Sequence, residues 1–195
     1  MLYLFLLISC LISFEGTPDE KIITFEKAET TKALSSKTPL KSSGKIVIYD
    51  NGTMLGHGSG NYFKFGSHKF MITAAHVVEH KFKSYVQDGD TMVELDVVYI
   101  DANRDIALVV PKKELVSIKA KKYRINKKSD LVGKTIYYAG HPADMGKGLF
   151  KGFVSQANDG FLVMQSFALP GSSGSVVFDF WGRAIGVVSS VKISF

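Results

Sequence analysis

Cysteine is almost absent from this sequence. Cys10 is the single cysteine among 195 residues, so no disulfide can form within the chain. Small secreted domains often depend on disulfides, but a folded chain of this length can bury roughly 70% of its extended surface. Packing alone can therefore stabilise one domain or a compact pair of barrels.

Motifs for metals and phosphates are also lacking. No group of histidines and cysteines has the spacing of a metal site, and no glycine-rich phosphate loop is present. We therefore expect no metal and no cofactor.

Charged residues are missing from the first 14 positions, which are almost wholly apolar (MLYLFLLISCLISF). As a helix they would span roughly 20 Å, which is short of a bilayer core. We expect a signal or anchor segment, and hence a secreted, periplasmic or membrane-anchored protein. The stretch Leu7–Cys10 resembles a bacterial lipobox that would lipidate Cys10, whereas an uncleaved leader or a poorly marked signal peptide is the alternative.

Sustained apolar patterning is also absent from residues 15–43, which are rich in Thr, Ser, Lys and Glu. This composition predicts a linker or pro-segment. The folded region is expected to cover residues 44–195.

The formal net charge of +6 includes lysine-rich stretches between residues 112 and 128. Only one aromatic residue that could stack on bases, Tyr123, is interleaved with them. A solvated lysine face is the ordinary explanation, so we expect no specific nucleic-acid binding.

Short apolar and β-branched runs separated by turn residues predict an all-β fold. The strands expected are 46–49, 61–65, 70–73, 93–100, 106–110, 135–139, 161–165, 176–178 and 184–189. One short helix is expected from Ala75 to about Glu79. Residues 50–52 (DNG) and 158–160 (NDG) predict hairpin turns.

Three segments bring one His, one Asp and one Ser into a definite chain order: TAAHV at 73–77, DIALV at 105–109 and PGSSGS at 170–175. A hydroxyl is a poor nucleophile at neutral pH and needs an imidazole to take its proton and a carboxylate to hold that imidazole. His76, Asp105 and Ser173 are the candidates for these roles. Each residue alone has an ordinary structural explanation, but the three together favour catalysis.

These segments resemble the trypsin/chymotrypsin-like serine peptidases, and most closely the HtrA-type and glutamyl-endopeptidase branches. The resemblance runs from about Ile46 to Val191 and includes GHGSG at 56–60, GHP at 140–142 and GFVS at 152–155. It implies that His76 is the general base, that Asp105 orients it and that Ser173 is the nucleophile. It also implies that the backbone N–H groups of Gly171 and Ser173 form the oxyanion hole.

The same resemblance implies two antiparallel six-stranded β-barrels of the chymotrypsin type with the active site in the cleft between them. The first barrel would cover about 44–111 and the second about 129–195. We therefore expect a serine endopeptidase with polypeptide substrates. A viral or phage processing protease with few substrates and a catalytically latent binding protein are the alternatives, and the oligomeric state stays open.

The primary substrate pocket is expected to include Phe167, Ala168, Val188, Ser189 and Ser190. Phe167 lies six residues before the nucleophile, where the family's trypsin-like members carry an acidic residue. The resemblance therefore predicts small or medium apolar P1 residues. It also predicts that a serine following the last pocket strand supports Asp105, which leaves Ser189 and Ser190 as alternatives.

Overall fold

Alternating apolar residues and tight turns produce twelve strands in the described part of the chain. The computed structural model describes residues 37–79, 81–126, 130–158 and 160–189. The strands are β1 (Ser43–Asp50), β2 (Thr53–Phe65), β3 (His68–Thr73), β4 (Lys83–Asp88), β5 (Thr91–Asp101), β6 (Ile106–Pro111), β7 (Lys121–Lys122), β8 (Thr135–Gly140), β9 (Gly148–Asn158), β10 (Phe161–Gln165), β11 (Val176–Asp179) and β12 (Ala184–Val187). The helix α1 covers Ala75–Val78, and a 3-10 turn covers Pro142–Asp144.

The first six strands close into a barrel. Their order is β1-β4-β5-β6-β3-β2, and β1 also pairs with β2, which completes the circle. The short strand β7 adds to β2 in parallel. Inward-facing apolar side chains fill the barrel, among them Ile46, Met71, Val86, Ala107 and Val109.

The second group of strands forms a five-stranded sheet in the order β10-β9-β8-β11-β12, and it curls into a half-barrel. Its core contains Leu131, Ile136, Tyr138, Val154, Val177 and Val188. The predicted all-β double barrel is therefore confirmed, with five named strands rather than six in the described part of the second barrel.

A third buried cluster joins the two barrels, because it contains Phe63 and Ile72 from the first together with Val176 and Phe178 from the second. Polar side chains add to this contact. The Ser43 hydroxyl donates to the carbonyl oxygen of Ala139 at 3.0 Å. The two barrels are thus held together by buried apolar and polar contacts.

Glycines inside β2 permit close packing against the site. A Cβ at Gly58 would lie 2.8 Å from the Val77 side chain and 3.1 Å from the Ser173 carbonyl oxygen. A Cβ at Gly60 would lie 2.8 Å from Ile46 and 3.1 Å from the carbonyl oxygen of Ile72. The absence of side chains here lets β2 lie against both α1 and the nucleophile loop.

The predicted linker falls mostly outside the described residues, as does the apolar segment 1–14 with its possible lipobox. Its last residues, 37–42, are helical, and Pro39 and Ser42 are buried. Asn61 in β2 donates a hydrogen bond to the Ser42 hydroxyl at 2.9 Å. This end of the segment therefore packs on the first barrel. Among the helices of the described residues, none has the length and apolarity needed to span a membrane.

Candidate active site

His76 is presented by α1, a single helical turn that follows β3. Its neighbours Ala75, Val77 and Val78 are buried, which fixes the turn against the first barrel. The His76 side chain itself is 51% exposed. The small residues at 74 and 75 thus allow the turn, and the imidazole emerges at the surface.

Asp105 stands in the turn immediately before β6, with a left-handed φ of 53°. Its carboxylate accepts two hydrogen bonds from His76. One comes from the backbone N–H to Oδ1 at 2.9 Å, and the other joins the ring Nδ1 to Oδ2 at 2.8 Å. This contact fixes both the position of the helical turn and the tautomer of the ring, with the proton on Nδ1 and a free lone pair on Nε2.

Burial of the Asp105 carboxyl would raise its pKa. Hydrogen bonds from the Ser189 hydroxyl and from His76 outweigh that effect, so the pKa of Asp105 lies below its ordinary value. The group is therefore ionised at neutral pH and can stabilise a positive charge on the ring.

Ser189 is the residue that contacts Asp105. Its hydroxyl donates to Oδ2 of the carboxylate, and its carbonyl oxygen accepts a hydrogen bond from the Ser173 hydroxyl at 3.3 Å. Ser190, the alternative for this supporting role, lies outside the described residues. Ser189 thus connects the Asp105 carboxylate of the first barrel with the Ser173 hydroxyl of the second.

Ser173 lies in the tight loop between β10 and β11. Its hydroxyl makes its hydrogen bond to Ser189, and within the described residues it makes none to His76. Hydroxyl donors prefer oxygen acceptors at 2.5–3.0 Å, so the 3.3 Å contact is a weak one. The Ser173 hydroxyl is therefore held near Ser189 by a weak bond that costs little to exchange.

The backbone around Ser173 leaves two N–H groups free. Ser172, Gly174 and Ser175 donate theirs to the carbonyl oxygens of Leu169, Val188 and Ser172, at 2.9, 2.7 and 3.0 Å. Within the described residues, the N–H groups of Gly171 and Ser173 donate to no protein acceptor. These are the two groups expected to bind an oxyanion.

Glycine is required on both sides of the nucleophile. Gly171 has φ 95°, and a Cβ there would lie 2.3 Å from His57 Nε2 and 2.4 Å from the His141 carbonyl oxygen. Gly174 has φ 87°, and a Cβ there would lie 2.1 Å from the Ser59 carbonyl oxygen. Both the left-handed backbone and the close packing exclude larger residues.

The five predicted pocket residues differ in their surroundings. Phe167 is half exposed and stacks on Phe150 with ring centroids 5.5 Å apart, and Ala168 is partly buried two residues before Pro170. Val188, by contrast, is 3% exposed and packs in the second-barrel core, and the Ser189 hydroxyl is bonded to Asp105. The side chains of Val188 and Ser189 are therefore occupied by core packing and by the bond to Asp105, and they do not form an open pocket wall. Phe167 and Ala168 remain the predicted wall of the pocket, and Ser190 lies outside the described residues.

Sequence reasoning passed over Ser59, which is fully buried and hydrogen bonded to the nucleophile loop. The only signal was its place in GHGSG, which marks the resemblance without giving any single residue a role. Among the described residues, no group of three or more His, Cys, Asp and Glu side chains could hold a metal ion.

Comparison with known proteins agrees with this geometry. The sequence pattern of the trypsin-like peptidase domain matches residues 58–187, and no curated protein matches the chain significantly. The solved serine endoprotease from Yersinia pestis is similar in structure, with a TM-score of 0.67 and 18% identity over 81% of this chain and 57% of that one. The solved structure of Deg5 has a TM-score of 0.66 and 20% identity over 85% of this chain and 87% of that one.

The chain thus spans 57% of the length of the Yersinia pestis endoprotease, and at these identities the likeness concerns the fold. The family match begins inside the GHGSG segment of β2, at Gly58, and covers the three segments that contain His76, Asp105 and Ser173 and the last strand. The chain therefore belongs to the trypsin-like serine peptidases and has the fold of their HtrA-type members.

Proposed function

We propose that the protein is a serine endopeptidase that hydrolyses peptide bonds through an acyl-enzyme on Ser173. The observation that carries this proposal is the pair of hydrogen bonds from His76 to Asp105, with Ser189 connecting that carboxylate to Ser173. His76 and Asp105 come from the first barrel and Ser173 from the second, and the contacts through Ser189 connect these distant parts of the chain.

In the acylation step, the Ser173 hydroxyl turns from Ser189 to His76 and attacks the carbonyl carbon of the scissile bond. Its proton passes to Nε2 of His76, and Asp105 stabilises the resulting imidazolium. The carbonyl oxygen becomes an oxyanion that accepts hydrogen bonds from the N–H groups of Gly171 and Ser173.

The tetrahedral intermediate then collapses as His76 returns the proton to the leaving amine. The C–N bond breaks and the acyl group stays on Ser173 Oγ. In the second half of the reaction, His76 takes a proton from water, the hydroxide attacks the ester carbonyl, and Ser173 recovers its proton.

For the substrate we propose polypeptides with small or medium apolar P1 residues. Phe167 supports this preference because it places an aromatic ring, and no carboxylate, at the position expected for the pocket. A peptide library cleaved by the purified protein checks it. A profile dominated by Arg, Lys or Glu at P1 contradicts the proposal.

A latent protein is the second candidate, because the Ser173 hydroxyl bonds to Ser189 rather than to His76. The length of that bond argues against a locked state, since a weak contact costs little to exchange. The two candidates differ in whether Ser173 reacts with an electrophile.

The test is labelling of the full chain with a fluorophosphonate probe, with the adduct located by mass spectrometry. We expect labelling of Ser173 that is abolished in Ser173→Ala and reduced at least a hundredfold in His76→Ala. Ser155→Ala, which changes a serine on β9 whose hydroxyl donates to the Val163 carbonyl oxygen, serves as the control and should label like the wild type. A folded wild type that does not label would favour the latent protein.

A further inference from the structure

Ser59 in β2 is hydrogen bonded at each of its polar groups. The residue is fully buried. Its N–H donates to the Ser173 carbonyl oxygen at 2.7 Å, and its hydroxyl donates to the Gly171 carbonyl oxygen at 2.7 Å. The hydroxyl also accepts the N–H of His141 at 2.9 Å, and the Ser59 carbonyl oxygen accepts the Thr73 hydroxyl at 2.7 Å.

These bonds bear on the orientation of peptide planes. In a trans peptide the C=O and the N–H of one plane point in opposite directions, so a bond that fixes the C=O also aims the N–H. The Gly171 N–H shares its peptide plane with the Pro170 carbonyl. The Pro170 carbonyl oxygen accepts the N–H of Ala143 at 2.7 Å, and this bond fixes the plane. The next peptide plane contains the Gly171 carbonyl and the Ser172 N–H. The Ser59 hydroxyl fixes this plane by donating to the Gly171 carbonyl oxygen.

The same hydroxyl also holds the loop that supplies Ala143. His141 is the residue where this loop leaves β8, and its N–H is bonded to the Ser59 hydroxyl. One hydroxyl group therefore bridges two segments of the second barrel, and both segments set the direction of the Gly171 N–H.

We propose that the Ser59 hydroxyl is a positioning residue that keeps the Gly171 N–H aimed into the oxyanion hole. This inference rests on the proposed function, because it assigns the hydroxyl a role in stabilising the oxyanion of that reaction. The first barrel thereby contributes to the oxyanion hole as well as supplying the general base. Without the hydroxyl, the Gly171 carbonyl and the His141 N–H lose a buried partner. The peptide plane of the Gly171 carbonyl then keeps only the bond from the Ser172 N–H to Leu169, and the loop of Ala143 loses its bond at His141.

The chain offers a matched control in Ser43. This serine is also fully buried in the first barrel, and its hydroxyl also donates to a carbonyl of the second barrel, that of Ala139 at 3.0 Å. It makes no hydrogen bond to the nucleophile loop within the described residues. Ser59→Ala therefore removes two buried inter-barrel hydrogen bonds and Ser43→Ala removes one, and only Ser59→Ala changes a contact to the loop that carries Gly171 and Ser173.

The kinetic test measures how fast the fluorophosphonate inactivates the full chain, with the maximal rate of inactivation separated from the affinity for the probe. The phosphoryl oxygen of the probe develops charge where an oxyanion would lie. We expect Ser59→Ala to lower the maximal rate about 10- to 100-fold, since loss of one oxyanion donor costs about 10²–10³. Affinity for the probe should change less than about twofold, and Ser43→Ala should match the wild type in both quantities.

Hydrogen–deuterium exchange gives a second measurement that does not depend on catalysis. We expect faster exchange across residues 169–175 in Ser59→Ala and unchanged exchange there in Ser43→Ala. Equal exchange and equal inactivation rates in the two variants would overturn the proposal. A different outcome is a wild type that does not label, while Ser59→Ala still exchanges faster than Ser43→Ala across residues 169–175. That outcome would count against the proposed function but would support the positioning role of the Ser59 hydroxyl.

If Ser59→Ala does not fold, Ser59→Thr and Ser59→Cys carry the test. Threonine keeps the hydroxyl, whereas cysteine has a similar size but is a weaker donor and acceptor. We expect the threonine variant to inactivate at least tenfold faster than the cysteine variant, and equal rates in the two would overturn the proposal.

Discussion

Asp105 performs two tasks with one carboxylate. It binds the backbone N–H of His76, which anchors a helical turn of only four residues, and it binds the ring Nδ1, which selects the tautomer. An amide in place of the carboxylate could still accept one of these bonds. It could not stabilise the imidazolium, and its NH₂ group would favour the wrong tautomer.

We therefore predict that Asp105→Asn lowers the maximal rate of Ser173 labelling by about 10³–10⁴ at neutral pH. The fold should persist, because the two side chains have almost the same shape. Inactivation kinetics together with far-UV circular dichroism check both statements. A decrease smaller than tenfold in a folded variant would show that Asp105 is not the orienting group.

The residues that carry the proposed chemistry could be found from the sequence because each lies in a local motif. His76, Asp105 and Ser173 stand in short segments whose order is informative. Their supporting residues have no such signal. Whether Ser189 or Ser190 supports Asp105 depends on where a strand ends, and the contacts of Ser59 join positions more than 80 residues apart.

At the scale of elements, strands with β-branched or aromatic runs were predicted correctly, such as β6 and β10, and so was α1. β4, β9 and the two-residue strand β7 were not predicted. β4 has only two adjacent apolar residues, Tyr85 and Val86, between polar ones, and β9 contains two glycines and several polar residues. β4 pairs with β1 and β5, and β9 pairs with β8 and β10. Pairing on both sides stabilises strands whose own sequences lack a clear apolar alternation.

The segment that follows β6 is also held by a contact that no motif reveals. Asp88, the last residue of β4, is buried, and its carboxylate accepts the N–H groups of Val116, Ser117 and Ile118 at 2.5, 2.7 and 3.1 Å. Burial alone would raise its pKa, but these three hydrogen bonds hold the pKa below its ordinary value. One ionised side chain thus fixes the beginning of the inter-barrel connection.

We predict that Asp88→Asn lowers the free energy of unfolding by about 1.5–3 kcal/mol at pH 7. Because the folded pKa is depressed, the stabilisation is complete above the unfolded pKa of about 3.9 and is lost as the pH falls through the folded pKa. The variant should therefore lose less stability than the wild type when the pH falls below about 4. Urea unfolding between pH 2 and 7 measures this difference, with the exposed Asp90→Asn as control. Parallel pH profiles for wild type and Asp88→Asn would refute the assignment.

The whole molecule depends on polar contacts between barrels as well as on the shared apolar cluster. Asn61 is fully buried in β2, where its amide donates to the Ser42 hydroxyl and its carbonyl oxygen accepts the N–H of Val176 in β11 at 2.8 Å. The Asn61 side chain therefore connects the helical segment 37–42, the first barrel and the second barrel by hydrogen bonds. Since His76 and Ser173 come from different barrels, any separation of the barrels must also separate the residues of the proposed triad.

We predict that Asn61→Ala lowers the free energy of unfolding by about 1–3 kcal/mol, because the buried N–H of Val176 loses its acceptor. Loss of secondary structure and loss of Ser173 labelling should occur at the same urea concentration in the wild type, and both should shift together in the variant. Circular dichroism and fluorophosphonate labelling across one urea series measure the two midpoints, with the exposed Asn103→Ala as control. If Ser173 labelling is lost at a lower urea concentration than the strands, the barrels separate before they unfold. The geometry of the site would then depend on the interface between the barrels more than on the stability of either barrel.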